Sequence, residues 1–471
     1  MRKTKIICTI GPACESEETI RELCRAGMNV ARLNFSHGTH EEHLQRIQTI
    51  RKVREELNLP IAIMLDTKGP EYRIGTFENG KIELKAGDVF TFTPEEISGT
   101  QEKVTVSYKN LPNELEAGDT ILLSNGLLEF RVTEISGNEI KTEVITGGEL
   151  SDRKSMAFPG KHIRQKYLSE KDIDDILFGV ENDIDFIACS FVSVKQDLDD
   201  IHDLLKAHGK DNTVELIAKI ENQCGYDHIE EICESCGGIM VARGDMGVEV
   251  PFENLPVMQK DLITKCRMMG KRVIVATEML ESMIHNPRPT RAETSDVANA
   301  VFDGTSAIML SGETAAGKYP VLAVRTMAKI AETAENSIDY AERFRSYDFL
   351  IQNDVDAISH SACGMAIDLH AKGIVACTLS GSTARMVSRF RSPADIIGLT
   401  TDEKTYRSLA LSWAVTPVKC EIFPSTDVLF YSAKKVAEDV FHPEKGDHVI
   451  ITGGVTNGSS GNTNLLKIES F

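Results

Sequence analysis

The sequence predicts an α/β protein: a (β/α)8 TIM barrel with an all-β domain inserted after the third strand, followed by a C-terminal open α/β domain. Three observations predict this fold class. Eight short apolar runs alternate with helical segments, strand-like alternation interrupts them after the third run, and the pattern changes again beyond about residue 345. At about 150 residues per domain, the 471 residues also fit roughly three domains.

Eight apolar runs bounded by turn residues are the predicted barrel strands. Helical periodicity in the intervening segments, such as Glu17–Ala26, His40–Leu57 and Leu198–His208, indicates crossover helices. Eight parallel strands with such crossovers close into a barrel, and a doubly wound sheet stays open as the alternative because sequence does not give strand order. The runs are Lys5–Ile10, Met28–Phe35, Ile61–Asp66, Phe186–Phe191, Val214–Ile220, Gly238–Ala242, Arg272–Thr277 and Ser306–Leu310.

The third βα connection is long enough to carry a domain of its own. It contains alternating segments such as Lys81–Leu84 and Val89–Phe92, with Asn79-Gly80, Asn125-Gly126 and Gly137-Asn138 as hairpin turns. An all-β domain inserted here lies over the carboxyl ends of the strands and can act as a lid that excludes water. The predicted domains are residues 1–71 and 167–344 for the barrel, 72–166 for the lid and 345–471 for a C-terminal regulatory domain.

The composition excludes several classes of function. The chain has 52 Lys+Arg against 71 Asp+Glu, a net charge of −19, so it should repel nucleic acid and anionic lipid. No stretch approaches the ~20 apolar residues of a membrane span, and the basic start is followed by too short an apolar run for a secretory signal. Eleven cysteines scattered through apolar segments indicate reduced thiols. We therefore expect a cytoplasmic protein.

Polar side chains follow seven of the predicted strands, at positions that share one rim in a barrel, where active sites are built. Taken singly, each is better explained by a helix cap or a surface turn, but seven polar strand ends together indicate a site. Glu221 and Asp245 supply oxygen ligands that suit Mg²⁺ or Mn²⁺. Lys219 lies two residues before Glu221 and should point the same way, so a lysine and a metal can together neutralise a transferring phosphoryl group or an enolate. A structural Lys–Glu ion pair is the alternative.

A second candidate site lies in the C-terminal domain. Ser380-Gly381-Ser382-Thr383 falls at a predicted strand-to-helix turn, where exposed backbone N–H groups can hold a phosphate. A plain Ser/Thr-capped turn is equally compatible with these residues. A second glycine-rich run, residues 452–464, could fold over the same ligand or form a flexible loop.

Several long motifs, in the same order along the chain, resemble those of the pyruvate kinase family. The resemblance runs from Lys3 to the C-terminus, and it implies the barrel, the inserted β domain and the C-terminal α/β domain described above. The motifs are KIICTIGP (Lys5–Pro12), MNVARLNFSHG (Met28–Gly38), LDTKGPE (Leu65–Glu71), AKIEN (Ala218–Asn222), MVARGDMGVE (Met240–Glu249), ATEMLESM (Ala276–Met283), NPRPTRAE (Asn286–Glu293) and DVANAVFDGTSAIMLSGETAAGK (Asp296–Lys318).

The resemblance implies transfer of the phosphoryl group of phosphoenolpyruvate to ADP, the last step of glycolysis, followed by protonation of the enolate. Arg32 and Lys219 would bind the phosphoryl group, and Glu221 and Asp245 would hold Mg²⁺ (or Mn²⁺). Thr277 would help to deliver the proton, through water because a threonine hydroxyl alone is a poor acid. The implied catalytic residues are Lys219, Arg32 and Thr277, and the implied substrate-binding residues are Arg32, Lys219, Gly244, Asp245 and Thr277.

Further roles follow from the same resemblance. The implied K⁺ ligands are Asn34, Ser36, Asp66 and Thr67. The implied nucleotide-binding residues are Asn34, Phe35, Ser36, His37, Arg73 and Lys154. The candidate effector residues are Thr378, Ser380, Gly381, Ser382, Thr383 and Arg385. Leu379 and Ser382 replace basic residues found in bisphosphate-responsive relatives, so we expect activation by a sugar monophosphate or AMP. A homotetramer is expected, without the extra C-terminal phosphohistidine-like domain of some bacterial relatives.

The sequence departs from the family pattern at positions that include no implied catalytic or metal residue. These positions are Ala157, Gln165, Lys166, Ser193, Cys224, Tyr226 and Glu278. Two other functions stay open at this point. A metal-dependent aldolase acting on phosphoenolpyruvate or pyruvate would turn over without ADP. A catalytically silent sugar-phosphate sensor would be expected to lack Lys219, Glu221 or Asp245, and all three are present.

Overall fold

The computed structural model describes residues 1–161, 163, 165–422, 425–454 and 463–471. It contains a closed barrel of eight strands, an additional β domain and a C-terminal α/β domain, which is the predicted fold class. Among the helices in the described ranges, none has the length and apolarity that crossing a membrane requires.

The first part of the barrel consists of three strands and two helices with clear start and stop signals. Thr39 and Glu42 form a capping box at the start of the second helix, and Gly27 ends the first helix with φ +118°. The elements are β1 (Lys5–Thr9), α1 (Glu17–Ala26), β2 (Val30–Asn34), α2 (His40–Leu57) and β3 (Ala62–Asp66).

The inserted domain has its own hydrophobic core, in which Phe90, Phe92 and Phe130 pack against one another. Its strands form a seven-stranded and a two-stranded sheet. Gly137-Asn138 forms the predicted hairpin turn, whereas Asn79-Gly80 precedes a strand that pairs elsewhere. The elements are β4 (Tyr72–Arg73), β5 (Lys81–Leu84), β6 (Val89–Thr93), β7 (Lys103–Thr105), a 3-10 turn (Leu111–Asn113), β8 (Thr120–Leu123), β9 (Leu128–Ser136), β10 (Glu139–Thr146), β11 (Gly148–Ser151) and β12 (Ser155–Ala157).

The chain then returns to the barrel and completes it. The first elements after β12 are α3 (Glu170–Glu181), β13 (Phe186–Cys189), α4 (Lys195–Ala207), β14 (Glu215–Ile220), α5 (Gln223–Asp227) and α6 (Ile229–Glu234). The rest are β15 (Gly238–Ala242), α7 (Arg243–Glu249), α8 (Leu255–Met268), β16 (Arg272–Ala276), a 3-10 turn (Glu281–Ile284), α9 (Arg291–Asp303), β17 (Ala307–Leu310), α10 (Gly312–Ala315), α11 (Pro320–Asn336) and α12 (Tyr340–Ser346).

The barrel is closed by parallel pairing of β1 with β17, and its strand order is β1-β17-β16-β15-β14-β13-β3-β2. This order excludes the doubly wound alternative. β3 and β13 are hydrogen-bonded neighbours although the whole inserted domain lies between them in sequence. The insert therefore leaves and re-enters the barrel at adjacent strands, above the carboxyl ends where the predicted site residues lie.

The C-terminal domain is an open sheet with strand order β20-β19-β18-β21-β22, in which β22 is antiparallel. The connection between β19 and β20 contains a short helix followed by a 3-10 turn. Of the predicted glycine-rich run, positions 455–462 lie outside the described residues. The elements are α13 (Asp354–Asp368), β18 (Gly373–Cys377), α14 (Ser382–Ser388), β19 (Asp395–Thr400), α15 (Glu403–Ser408), a 3-10 turn (Leu409–Leu411), β20 (Val415–Lys419), α16 (Thr426–Phe441), β21 (His448–Gly453) and β22 (Leu465–Ser470).

The C-terminal domain contacts the amino-terminal ends of the barrel strands, opposite the inserted domain. Arg407 Nε lies 2.6 Å from Asp185 Oδ1, and both side chains are buried. Arg272 Nη1 lies 2.5 Å from Glu215 Oε2, and Arg385 Nη1 lies 3.3 Å from Glu215 Oε1. Charged pairs thus join the two domains at the end of the barrel away from the candidate site.

Candidate active site

A buried cluster of charges lies at the carboxyl ends of β2, β3 and β14. Arg32 Nε donates to Asp66 Oδ2 at 2.7 Å, and Lys219 Nζ lies 3.1 Å from both Asp66 Oδ1 and Glu221 Oε1. Lys219 also donates to Ser190 Oγ at 2.7 Å. Lys219 and Glu221 therefore point the same way, as their spacing predicts, and two cations converge on two carboxylates in a water-poor site.

The ionisation of this cluster follows from burial and charge. Burial alone would raise the pKa of the Asp66 carboxyl, but Arg32 and Lys219 hold it below its usual value. Burial opposes the positive charge of Lys219, yet Asp66 and Glu221 keep its pKa above its usual value. Burial raises the pKa of Glu221 to about 7, with Lys219 opposing and Asp245 adding to the rise. Lys219 therefore stays charged at neutral pH, whereas the Glu221 carboxyl titrates close to neutral pH.

Glu221 has one carboxylate oxygen that is held and one that is available. Phe191 N donates to Glu221 Oε2 at 2.5 Å. Glu221 Oε1 is buried and, among the described residues, accepts no hydrogen bond of good geometry. The Lys219 ammonium faces this oxygen at 3.1 Å, and a buried carboxylate oxygen that has an ion pair but no hydrogen bond still has a lone pair for a divalent metal ion. In the described ranges, no group of three or more His, Cys, Asp or Glu side chains is arranged to hold a metal.

Asp245 and Thr277 lie on the neighbouring strand ends. Asp245 is exposed in the first turn of α7. Thr277 Oγ1 accepts from Gly244 N at 2.8 Å, and Arg243 donates to the Thr277 carbonyl at 2.6 Å. Thr277 has φ +69°, a left-handed backbone that is uncommon for a β-branched residue. Gly244 and Thr277 are therefore joined directly, and the local backbone is fixed in an unfavourable conformation, as is frequent at functional sites.

The segment Asn34–His37 follows β2 and lies beside Asp66, since Asn34 pairs with Asp66 in the barrel. Ser36 N donates to Asn34 Oδ1 at 3.1 Å, which forms a tight turn. Phe35 is 1% exposed and stacks on the His43 ring at 3.9 Å. The structure thus brings the four predicted K⁺ ligands onto two adjacent strand ends, but it leaves only the backbone of Phe35 to meet a nucleotide.

The remaining predicted nucleotide residues, Arg73 and Lys154, lie where the inserted domain joins the barrel. Arg73 Nη1 donates to the Arg153 carbonyl at 2.6 Å, and Arg73 Nη2 lies 2.5 Å from Glu71 Oε1. Ile74 N donates to the Lys154 carbonyl, and Arg73 pairs with Ser155, so Lys154 directly precedes the strand that is adjacent to Arg73.

A cleft of about 510 Å³ separates the inserted domain from the barrel rim, and its lining includes Arg73, Asp245 and Glu249. Among the described residues that line it, Asn34 to His37 are absent. Burial raises the pKa of Glu249 to about 7, and this carboxylate accepts from Phe158 N at 3.4 Å across the cleft. The cleft has the size of a small-molecule site.

The predicted effector residues lie in the turn after β18 and in the first turn of α14. Gly381 has φ +79°, a conformation that glycine adopts without strain. Thr383 Oγ1 lies 2.7 Å from Thr463 Oγ1, and Arg385 Nη1 donates to the Ser380 carbonyl at 3.3 Å. The structure brings the candidate residues together and also connects Arg385 to Glu215 of β14. The predicted residues are Thr378, Ser380, Gly381, Ser382, Thr383 and Arg385.

Sequence reasoning placed Ser190 at a strand end but gave it no part in the site. The structure makes it central, because its hydroxyl accepts from Lys219 and donates to the Thr67 carbonyl at 2.6 Å. Glu313 was likewise assigned no role, although it is buried and accepts from Leu280 N and Ser311 N at 3.0 and 2.7 Å. A polar residue directly after a predicted strand was the only signal in the sequence for either one.

Comparison with known proteins identifies the family. The family described as "Pyruvate kinase, barrel domain" matches residues 1–324, and "Pyruvate kinase, alpha/beta domain" matches residues 356–469. The chain belongs to the pyruvate kinase family. It is 50% identical to the pyruvate kinase of Staphylococcus epidermidis over 472 residues, which are 100% of this chain and 80% of that protein. It is 47% identical to the pyruvate kinase of Clostridium perfringens, with 100% of both chains covered.

A solved structure supports the same assignment. The pyruvate kinase from Cryptosporidium parvum has a TM-score of 0.94 at 39% identity, over 100% of this chain and 96% of that one. The predicted family, fold class and enzyme class are therefore confirmed, and the chain is a phosphotransferase of the pyruvate kinase family. The family implies phosphoenolpyruvate and ADP as substrates and a general dependence on metal ions. The roles of single residues stay predictions.

Proposed function

We propose that this chain transfers the phosphoryl group of phosphoenolpyruvate to ADP at the carboxyl end of the barrel, giving pyruvate and ATP. The observation that supports this most strongly is the buried convergence of Arg32 and Lys219 on Asp66 and Glu221. Phosphoryl transfer needs little covalent help from a protein, and catalysis lies in positioning the reactants and neutralising their charge. Lys219 faces the centre of this cluster, so it can stabilise both the phosphoryl oxygens and the enolate that is left.

Glu221 and Asp245 are the proposed ligands of Mg²⁺ or Mn²⁺. Glu221 Oε1 is buried, forms an ion pair with Lys219 and accepts no hydrogen bond among the described residues, which supports this role, and exposed Asp245 leaves room for substrate oxygens. When bound, the ion neutralises negative charge on the substrate carboxylate and phosphate. Asn34, Ser36, Asp66 and Thr67 are the proposed K⁺ ligands, because they lie together on the ends of β2 and β3.

Protonation of the enolate is assigned to the neighbourhood of Thr277. Its hydroxyl accepts from Gly244 N and donates to the Ala276 carbonyl at 2.6 Å, which orients it at the rim. A threonine hydroxyl cannot act alone as an acid at neutral pH, so we assign it the orientation of a water molecule that carries the proton. Gly244, Asp245 and Thr277 line the side of the site where pyruvate forms. The backbone of Asn34 to His37, with Arg73 and Lys154, is proposed to hold the nucleotide.

We also propose a cytoplasmic homotetramer regulated through the C-terminal domain, with the domain boundaries predicted above. Phe252, just before α8, and Val257, in its first turn, are 80% and 67% exposed, and such apolar exposure supports association. The effector is proposed to be a sugar monophosphate or AMP, held by Ser380 to Thr383 and Arg385. Activation by a panel of sugar monophosphates, AMP and fructose 1,6-bisphosphate tests this, and equal activation by all of them or by none contradicts it.

The reaction is tested by measuring pyruvate formation from phosphoenolpyruvate and ADP with Mg²⁺, with and without K⁺. Lys219→Met should lower kcat by about 10³-fold or more, since it removes the cation nearest the transferring group. Lys404→Met, at a lysine of the C-terminal domain that contacts the opposite end of the barrel, should retain wild-type turnover. Turnover of phosphoenolpyruvate or pyruvate with an aldehyde and without ADP would favour the aldolase, and no turnover with any activator would favour the sensor.

A further inference from the structure

Tyr167 connects the return segment of the inserted domain to the candidate active site. It lies just before α3 and is 6% exposed. Its hydroxyl donates to the Ser190 carbonyl at 2.8 Å, at the end of β13. Burial raises the pKa of Tyr167 well above its usual value, so the hydroxyl keeps its proton and stays a donor. Neither the reaction nor any motif considered above gives this tyrosine a role.

The peptide group between Ser190 and Phe191 is held at both ends. Its carbonyl accepts from Tyr167, and its N–H donates to Glu221 Oε2 at 2.5 Å. Phe191 has φ +56°, a left-handed conformation that is unfavourable for a residue with a Cβ atom. Such a conformation persists only where the surroundings fix it, and these two hydrogen bonds fix this peptide plane.

The orientation of that plane determines which oxygen of Glu221 is available. With Oε2 engaged by Phe191 N, Oε1 is left facing Lys219 without a well-formed hydrogen bond. Ser190 is also fixed on its other side, because its hydroxyl accepts from Lys219 at 2.7 Å. Without the Tyr167 hydroxyl, the Ser190 carbonyl would lose its hydrogen-bond partner and the plane would be free to turn toward water. Glu221 would then lose its fixed orientation.

We infer that Tyr167 is a positioning residue for the divalent-cation site, acting through the Ser190–Phe191 peptide to orient the Glu221 carboxylate. The inference rests on the proposed role of Glu221 as a cation ligand. The segment at which the inserted domain rejoins the barrel then directly influences cation affinity. Groups that orient a metal ligand without touching the metal change affinity by about 10- to 100-fold when removed.

The test measures Mn²⁺ binding to the substrate-free enzyme. Binding is monitored as the decrease of the electron paramagnetic resonance signal of free Mn²⁺. Tyr167→Phe removes only the hydroxyl and is expected to raise the Mn²⁺ dissociation constant about 10-fold. Tyr340→Phe is the matched control, because Tyr340 is 7% exposed and its hydroxyl has no hydrogen-bond partner among the described residues. Glu221→Gln, which keeps an oxygen for Phe191 N, serves as the reference for loss of the ligand charge.

A second measurement separates orientation of the cation site from general loss of structure. In Tyr167→Phe, the Mn²⁺ concentration for half-maximal turnover should rise about 10-fold, while kcat at saturating Mn²⁺ stays within about 2-fold of wild type. A lower kcat at every Mn²⁺ concentration, with unchanged Mn²⁺ affinity, would mean a purely structural role and overturn the inference.

The outcomes also distinguish this inference from the proposed function. If Glu221→Gln abolishes Mn²⁺ binding and Tyr167→Phe leaves it unchanged, the positioning role is wrong and the cation site stands. If Glu221→Gln leaves Mn²⁺ binding unchanged, Glu221 is not a ligand and both statements fail. Weaker binding in both variants, with Tyr340→Phe like wild type, supports both.

Discussion

Lowering the pH from 8 to 6 should weaken divalent-cation binding at the barrel rim, because Glu221 must be ionised to act as a ligand. Burial raises the pKa of Glu221 to about 7, so this carboxyl is mostly ionised at pH 8 and mostly protonated at pH 6. The direction of the pH effect on cation affinity follows from this ionisation. A metal ion binds the ionised form only, so its apparent affinity is full above pH 7 and falls as the pH drops through 7.

The size of the effect follows from one titrating group. With a pKa of about 7, the apparent dissociation constant should be about 10-fold larger at pH 6 than at pH 8, which corresponds to about 1.4 kcal/mol. Binding at pH 7 should release about half a proton per site. Lys219 adds nothing to this dependence, because its pKa is held above the usual value by Asp66 and Glu221 and it stays charged throughout.

The assay is a Mn²⁺ titration of the substrate-free enzyme by electron paramagnetic resonance at pH 6, 7 and 8. Calorimetry in two buffers of different ionisation enthalpy gives the number of protons released. Glu249→Gln is the control, because burial also raises the pKa of Glu249 to about 7 and it lines the cleft together with Asp245, the other proposed ligand. An affinity that changes by less than about 2-fold between pH 6 and 8 would refute the reasoning. A dependence that vanishes in Glu249→Gln would assign the titration to Glu249.

Two further predictions concern stability. Arg407→Met should lower the free energy of unfolding by about 3–5 kcal/mol in urea titrations, since it leaves Asp185 buried without its closest counter-charge. Lys404→Met, at the partly exposed edge of the same network, should lower it by less than about 1 kcal/mol. Equal losses in the two variants would contradict this prediction. Phe130→Ala should destabilise the inserted domain by about 3–5 kcal/mol and speed hydrogen exchange of its amides alone, whereas equal acceleration in the barrel would show that the lid has no separate core.

Much of the fold could be predicted because buried parallel strands have a strong local signature. All eight predicted runs contain a barrel strand, and Gly238–Ala242 matches its strand residue for residue. The two-residue spacing of Lys219 and Glu221 also gave their common direction correctly, since a strand alternates its side chains. These features depend on neighbours within one segment of the chain, and sequence shows such neighbours directly.

Features that depend on distant segments could not be predicted. Strand order needed the pairing of β1 with β17, and the antiparallel strand β22 has only a weak alternating pattern. The contact from Tyr167 to the Ser190 carbonyl joins a lid connection to a strand end. The left-handed conformation of Phe191 leaves no mark in the sequence, because it is imposed by Glu221 and Tyr167 from other elements.

The way β1 is fixed has a consequence for how the chain folds during its synthesis. Glu335 of α11 accepts from the N–H groups of Lys3 and Thr4 at 2.8 and 2.7 Å, and Ala414 N donates to the Lys3 carbonyl. The contacts that fix the start of the chain thus form only after more than three hundred further residues have been synthesised. At about 5–20 residues per second this delay is roughly 15–60 s, during which the edge of β1 that pairs with β17 is open. Chaperones that bind extended apolar segments should therefore meet this enzyme on the ribosome.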